Sequence, residues 1–223
     1  MNPFAVGRGF PHPARTLMMK HFLPAALAAA ALTSHSHAQA DAPNAAAPPA
    51  VATLPEKEPG FVSLFNGRDL TGWGYRTNNF DGQTASSEGR YTAQNGVLTV
   101  HPPGQGPRLA QIWTTREFPR DFVLKLEFRA GVNADSGIFL RKPQLQCRDY
   151  LVAGPYKTLK NYRPQDWNEI VVAVTNGVAH CACNGEVLEP ALQLPGTGPI
   201  GLEGDRGQME YRRIRFKEKP GPE

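Results

Sequence analysis

From Tyr91 onward the chain alternates apolar and polar residues in short runs separated by Gly, Pro or Asn-Gly. In Asp121–Arg129, Phe122, Leu124, Leu126 and Phe128 share one face, and Val123, Lys125, Glu127 and Arg129 share the other. That period of two is the mark of a half-buried strand. Tyr91–Val100 reads as two strands around Asn95-Gly96, a turn-forming pair. Gln111–Thr115 is a further short strand. Ser136–Arg141 sets Ile138 and Leu140 against Phe139 and Arg141, and Gln144–Tyr150 continues the pattern. Trp167–Thr175 and Val178–Cys183 form a hairpin across Asn176-Gly177, and Asn184-Gly185 turns the chain into Glu186–Leu188. Gly198–Glu203 and Gln208–Lys217 close the series. No segment carries the 3.6-residue period of an amphipathic helix. About a dozen short strands with close turns predict an all-β, two-sheet sandwich.

The N-terminal part follows a different logic. Lys20 and His21 precede an apolar, Ala-rich run, Phe22–Leu32, and then Ala38-Gln39-Ala40. Basic start, apolar run and small-x-small site make residues 1–40 a cleavable export signal, which implies a periplasmic or secreted protein. The apolar run is too short for a bilayer span, which needs roughly 20 residues, and no cysteine at its end offers a site for acylation. Residues 1–17 lack any period and precede Met18-Met19-Lys20, so translation is expected to start at Met18 or Met19; a long basic leader is the alternative. Residues 41–59 are rich in Ala and Pro and read as a disordered linker. The working domain is then 60–219, long enough for a real core.

Removing the leader changes the charge. The sequence pI is about 9.0, but taking away Arg8, Arg15 and Lys20 leaves 21 basic residues against 20 acidic ones. Nothing then points to a nucleic-acid partner. Only His101 and His180 remain, which excludes a His-rich metal site. Cys147, Cys181 and Cys183 allow one disulfide, Cys147 with either of the others, or three buried thiols. Their spacing does not suit zinc.

Four groups of residues, in order, resemble the 3-keto-disaccharide hydrolase-like family. They are Phe61–Trp73 (FVSLFNGRDLTGW), Asp121–Arg129 with Asp135–Arg141 (DSGIFLR), Trp167-Asn168 with Asn184–Glu186, and Gly198–Glu203 (GPIGLE) with Tyr211–Arg215. The resemblance covers essentially all of Gly60–Glu218. It implies a concanavalin A-like jelly-roll sandwich and a sugar substrate, an oligosaccharide or glycoside already oxidised to a ketone at carbon 3. A 3-keto group acidifies the proton on carbon 2. A base can remove that proton and expel the anomeric substituent, and water can add afterwards. Such a site needs a base, a cation or donor for the enolate and an acid for the leaving oxygen, unlike the opposed carboxyl pair of ordinary glycosidases.

Strand parity then nominates residues. Glu127 is the candidate base, with Arg141 or Arg148 stabilising the enolate. Gln144, Gln146, Asp149, Tyr150, Glu203 and Asp205 are candidate substrate contacts. The family pattern has Glu where this chain has Gln144, and Gln cannot act as a base; Glu203 and Asp205 are the replacements in view. Glu127 is equally a solvated outer-face charge, and Arg141 a cross-strand ion-pair partner. Trp73 and Trp167 read as core aromatics. Tyr150, Tyr156 and Tyr162, in the loop 150–165, are placed to stack on a sugar. His180 reads as structural, and Asn66 and Asp69 as turn formers. No cofactor is certain; a divalent cation on Asp and Glu oxygens is compatible, but no run of ligands announces it.

Overall fold

The computed structural model describes residues 58–104, 110–152 and 154–220. The export signal expected over 1–40 and the linker expected over 41–59, apart from Glu58 and Pro59, lie outside the described residues. Glu58 is already part of the sandwich: its carboxylate pairs with Lys125 Nζ at 2.5 Å and Arg215 Nη1 at 2.9 Å.

Among the described residues there are fourteen strands and no helix. The larger sheet runs β12 (Glu186–Gln193), β11 (Val178–Cys183), β10 (Asn168–Thr175), β7 (Phe122–Ala130), β14 (Met209–Glu218), β5 (Val97–Val100) and β4 (Tyr91–Gln94), and β1 (Val62–Ser63) also pairs with β14. The smaller runs β3 (Asn78–Asn79), β2 (Trp73–Tyr75), β6 (Ala110–Thr114), β13 (Ile200–Gly204), β8 (Asp135–Leu140) and β9 (Gln144–Arg148). Neighbours are antiparallel throughout both sheets. The fold is a two-sheet, concanavalin A-like jelly roll.

Alternation builds the core. On β7 the residues Phe122 to Ala130 are buried at every second position, and β10 does the same, whereas β13 is buried along its whole length. Phe118, Phe122 and Phe216 meet at 4.3–6.3 Å between ring centroids and fill the space between the sheets. Truncating such a ring to Ala costs about 3–5 kcal/mol. The Asn-Gly hairpin turns at 95–96, 176–177 and 184–185 place both residues at positive φ, as at Asn176 (51°) and Gly177 (74°), the geometry that matches the twist of a tight hairpin.

Three features depart from the sequence pattern. β12 runs on to Gln193, past Pro190, which is tolerated because β12 is an edge strand. Tyr150, Tyr156 and Tyr162 turn inward and cluster with Phe128 at 5.2–6.3 Å, so they enlarge the core rather than offer faces to a sugar. Trp73 is fully buried, but Trp167 lies on the outer face, between Arg212 (3.9 Å) and Arg129 (4.8 Å). Cys147, Cys181 and Cys183 are all free and buried. Burial pushes the Cys181 and Cys183 thiols up to about 12 and the Cys147 thiol well above its ordinary value.

Candidate functional site

The smaller sheet has the distinctive outer face. Its register aligns one row of outward positions: Asn79 opposite Gly74, Gly74 opposite Trp113, Trp113 opposite Gly201, Gly201 opposite Phe139, and Phe139 opposite Gln144. Directly opposed residues share a face. A second row, two residues further along, contains Gln111 opposite Glu203, and Gly137 opposite Gln146. A third pairs Asp135 with Arg148. With strands about 4.8 Å apart, the first row spans roughly 24 Å.

Glycines clear this surface. The Trp113 ring lies across Gly201, where an added Cβ would sit 2.7 Å from Cε3. The Gln144 side chain lies across Gly137, where an added Cβ would sit 2.5 Å from Cγ. Trp113 also approaches Phe139, at 5.3 Å between ring centroids. Two glycines thus let an aromatic and an amide lie flat on the sheet, one forming an apolar floor and the other reaching sideways.

Glu203 is what Gln144 reaches. Gln144 Nε2 donates to Glu203 Oε2 at 2.5 Å, and Gln111 Nε2 donates to Oε1 at 3.2 Å. Glu203 is only 7% exposed. Burial raises its pKa above the ordinary value, the amides from Gln111 and Gln144 oppose the rise, and the charges of Asp205 and Asp135 add to it. A half-desolvated carboxylate fixed by two amides is a suitable proton acceptor. Beside it, Asp135 accepts from Gln146 Nε2 at 3.0 Å and pairs with Arg148 at 3.2 Å and Arg206 at 3.3 Å.

The residues nominated from sequence divide between distant places. Gln144, Gln146, Arg148 and Glu203 come together on this face, with Asp205 in the loop following β13. Glu127 does not: it lies on the outer face of the larger sheet, paired with Arg212 at 2.6 Å and Arg213 at 2.7 Å. The outer faces of the two sheets point away from each other, so Glu127 cannot share a ligand with Gln146. A bulge in β14, with Arg213 at φ 52°, lets both arginines reach it. Arg141 is also elsewhere. Its backbone sits at φ 65°, and its buried guanidinium donates to the carbonyls of Pro195 and Arg120, each at 2.6 Å, above the Phe122 ring. It ties loops together instead of facing a ligand. Tyr150 is fully buried and donates to the Gln146 carbonyl at 2.8 Å. Asp149 is buried and accepts from the Asn133 amide, Tyr162 and Gln165, which makes it a loop anchor.

Other motif residues are structural too. Asn168, fully buried, bonds the Arg163 amide and carbonyl and the Asp166 carbonyl, and accepts from Asn184. Asn66 and Asp69 bond each other and cap the amides of Arg68, Asp69 and Thr71, as expected of turn formers. His180 is exposed on β11.

Sequence reasoning missed Gln111, Trp113, Phe139 and the central place of Asp135. The parity of Gln111–Thr114 around the buried Ile112 was a usable signal for the first two. Among the described residues no group of three or more His, Cys, Asp or Glu side chains is arranged to hold a metal ion, and no helix is long and apolar enough to cross a membrane.

A flat aromatic floor, side-chain amides and a buried carboxylate on one outer face mark a class of jelly-roll sandwich with a ligand-type surface. Within that class, the chain belongs to the family of 3-keto-alpha-glucoside-1,2-lyase-like domains, which matches residues 60–217. Two crystal structures of proposed glycosyl hydrolases from Parabacteroides distasonis ATCC 8503 share the fold. The first, at TM-score 0.56 and 18% identity, covers 72% of this chain and 95% of its own. The second, at TM-score 0.53 and 18% identity, covers 71% and 99%. No curated protein matches the chain.

Proposed function

We propose that this protein is an exported enzyme that cleaves 3-keto-glycosides, with Glu203 as its base. The observation that carries the reading is the Glu203 carboxylate, buried and raised in pKa, with an amide on each oxygen, beside the Trp113–Phe139 floor. The sugar ring stacks on the Trp113 ring, which lies flat across Gly201 because that residue has no side chain. Glu203 takes the proton from carbon 2, and the electron pair moves into the enolate of the 3-ketone. Collapse of the enolate breaks the bond from carbon 1 to the leaving oxygen, which receives a proton. Water then adds its hydroxyl to carbon 1 and a proton to carbon 2, so the net reaction is hydrolysis. Arg148, held by Asp135, supplies the positive charge that the enolate needs, and Gln146 orients a hydroxyl. The family's lyase-like description supports elimination as the first step. The basic start, apolar run and small-x-small site within 1–40, read as an export signal, support export to the periplasm or beyond.

Incubation in D2O with 3-keto-glycosides and their unoxidised parents tests the proposal. Cleavage of the keto forms alone, with deuterium at carbon 2 of the product, is expected. Cleavage of the parent sugars, or of neither set, would overturn it.

A second reading is a sugar-binding sandwich without turnover. It draws on the engagement of both Glu203 oxygens by amides, which leaves the carboxylate well held even without a substrate. Binding of both sets with cleavage of neither would select it.

A further inference from the structure

The Asp135–Arg141 run holds a buried hydroxyl, Ser136, that the proposed reaction leaves unused. Beside Ser136 the ladder between β8 and β13 is interrupted. The two strands pair regularly as far as Leu202 opposite Ile138, and the next bridge joins Asp135 to Arg206. Glu203, Gly204 and Asp205 therefore face only Ser136 and Gly137, an excess of one residue, and Glu203 opens a bulge. On the other side β13 stays in register with β6 through Gly204. Side chains grip the bulge from within the sandwich. Ser136 Oγ donates to the Glu203 carbonyl at 2.6 Å, and with its one hydrogen so used it accepts from Tyr211 Oη at 3.0 Å. Tyr91 Oη donates to the Leu202 carbonyl at 3.1 Å, and Arg90 Nη2 to the Gly204 carbonyl at 2.6 Å. Tyr91 and Tyr211 are fully buried and belong to β4 and β14 of the larger sheet.

Resting on Glu203 as the working carboxylate of this face, we infer that Ser136, braced across the sandwich by Tyr211, is a positioning residue that keeps the carboxylate between Gln111 and Gln144. The argument is one of spacing. The strand order is β6, β13, β8, β9, so Gln111 on β6 is a direct neighbour of Glu203, whereas Gln144 on β9 must reach it across β8. That reach needs β13 and β8 held at a fixed distance, and the bulge removes the regular ladder at that point. The Ser136 bond to the Glu203 carbonyl replaces it. Ser136 and Gly137 are adjacent and complementary: the first ties the two strands together from the core side, and the second leaves the outer side bare for the Gln144 side chain. Ser136 itself, buried on the core side, touches no ligand. The charged groups around Glu203 are Asp135 on β8, Asp205 after β13, Arg148 on β9 and Arg90 beneath Gly204, with Arg206 on Asp135. Removing the Ser136 hydroxyl alters none of these charges.

Ser136→Ala and Tyr211→Phe, made in the full chain, test this; Tyr211→Phe keeps the ring in the core and serves alone if Ser136→Ala does not fold. The Glu203 carboxyl is titrated by carbon-13 NMR, its signal assigned by its loss in Glu203→Gln, and kcat and KM on a 3-keto-glycoside are followed against pH. Hydrogen bonds from Gln111 and Gln144 oppose the rise that burial imposes on Glu203, so a carboxylate that drifts from them titrates higher. The Ser136→Ala titration and the acid limb of kcat/KM are expected to move together to higher pH, with kcat down about tenfold or more and KM within about threefold of native. Tyr211→Phe moves both the same way by less. With Gln144→Ala already present, Ser136→Ala adds less shift than it does alone. A titration that stays put or falls, or a shift fully additive with Gln144→Ala, overturns the inference and leaves Glu203 as the base. If the titration moves as expected but the native protein cleaves no 3-keto-glycoside, the positioning role stands and the enzyme reading falls.

Discussion

Gln144 Nε2 lies 2.5 Å from Glu203 Oε2, reaching it across the bare backbone of Gly137. An amide on β9 thus holds a carboxylate contributed by another strand. The carboxylate of this face proposed as the base therefore comes from β13.

This arrangement fixes a pH dependence. A base must be ionised, so activity falls on the acid side, with an apparent pKa above the ordinary Glu value because burial raises Glu203. Hydrogen bonds from Gln111 and Gln144 oppose that rise. Gln144→Ala and Gln111→Ala therefore move the acid limb of kcat/KM to higher pH. A limb that stays put or moves to lower pH contradicts the assignment.

The same group leaves a trace in stability. A carboxyl whose folded pKa is raised contributes stability that is fully present below its unfolded pKa, about 4.3, and lost as pH rises through the folded value. Glu203→Gln removes that loss. Thermal scans from acid to neutral pH should show the variant gaining on the native protein as pH rises.

The glycines offer a subtler test. At Gly137 an added Cβ meets the far part of a flexible, exposed Gln144, which swings away; Gly137→Ala should keep stability within about 1 kcal/mol and shift the pH limb as Gln144→Ala does. At Gly201 it meets the rigid Trp113 ring. Gly201→Ala should cost about 1–3 kcal/mol and raise KM. Denaturant melts with paired kinetics check both.

Glu127 and Arg141 should behave as scaffold. Glu127→Gln weakens the pairs with Arg212 and Arg213 and should cost about 1–2 kcal/mol, between exposed and buried pairs. Arg141→Met removes two charged hydrogen bonds and should cost about 2–4 kcal/mol. In both, kcat/KM of the folded protein should stay near native. A large loss of turnover at Glu127 with native stability would return it to the mechanism.

How far the sequence could be read follows from what alternation encodes. Phe122 to Phe128 specify a strand and its buried side, and the hairpin at Asn176-Gly177 specifies its neighbour, so the sandwich was legible. Parity assigns Glu127 and Gln146 each to an outer face, but not to the same sheet. That depends on pairings between strands far apart in the chain, such as β7 with β14 and β13 with β8. Tyr150, Tyr156 and Tyr162 misled for a related reason. Their loop looked polar and Pro-containing, yet contacts that hold it, such as Asn161 with Glu186 and Tyr156 with Glu189, are tertiary.

The most direct measurement is the reaction of Glu203→Gln with a 3-keto-glycoside, followed for turnover, binding and exchange of the carbon 2 proton with D2O. A general base contributes about 10²–10⁴-fold, so kcat should fall by about that factor and exchange should stop, while the dissociation constant stays within about tenfold of native. Undiminished turnover or continued exchange would show that another group takes the proton, and the account built on Glu203 would be wrong.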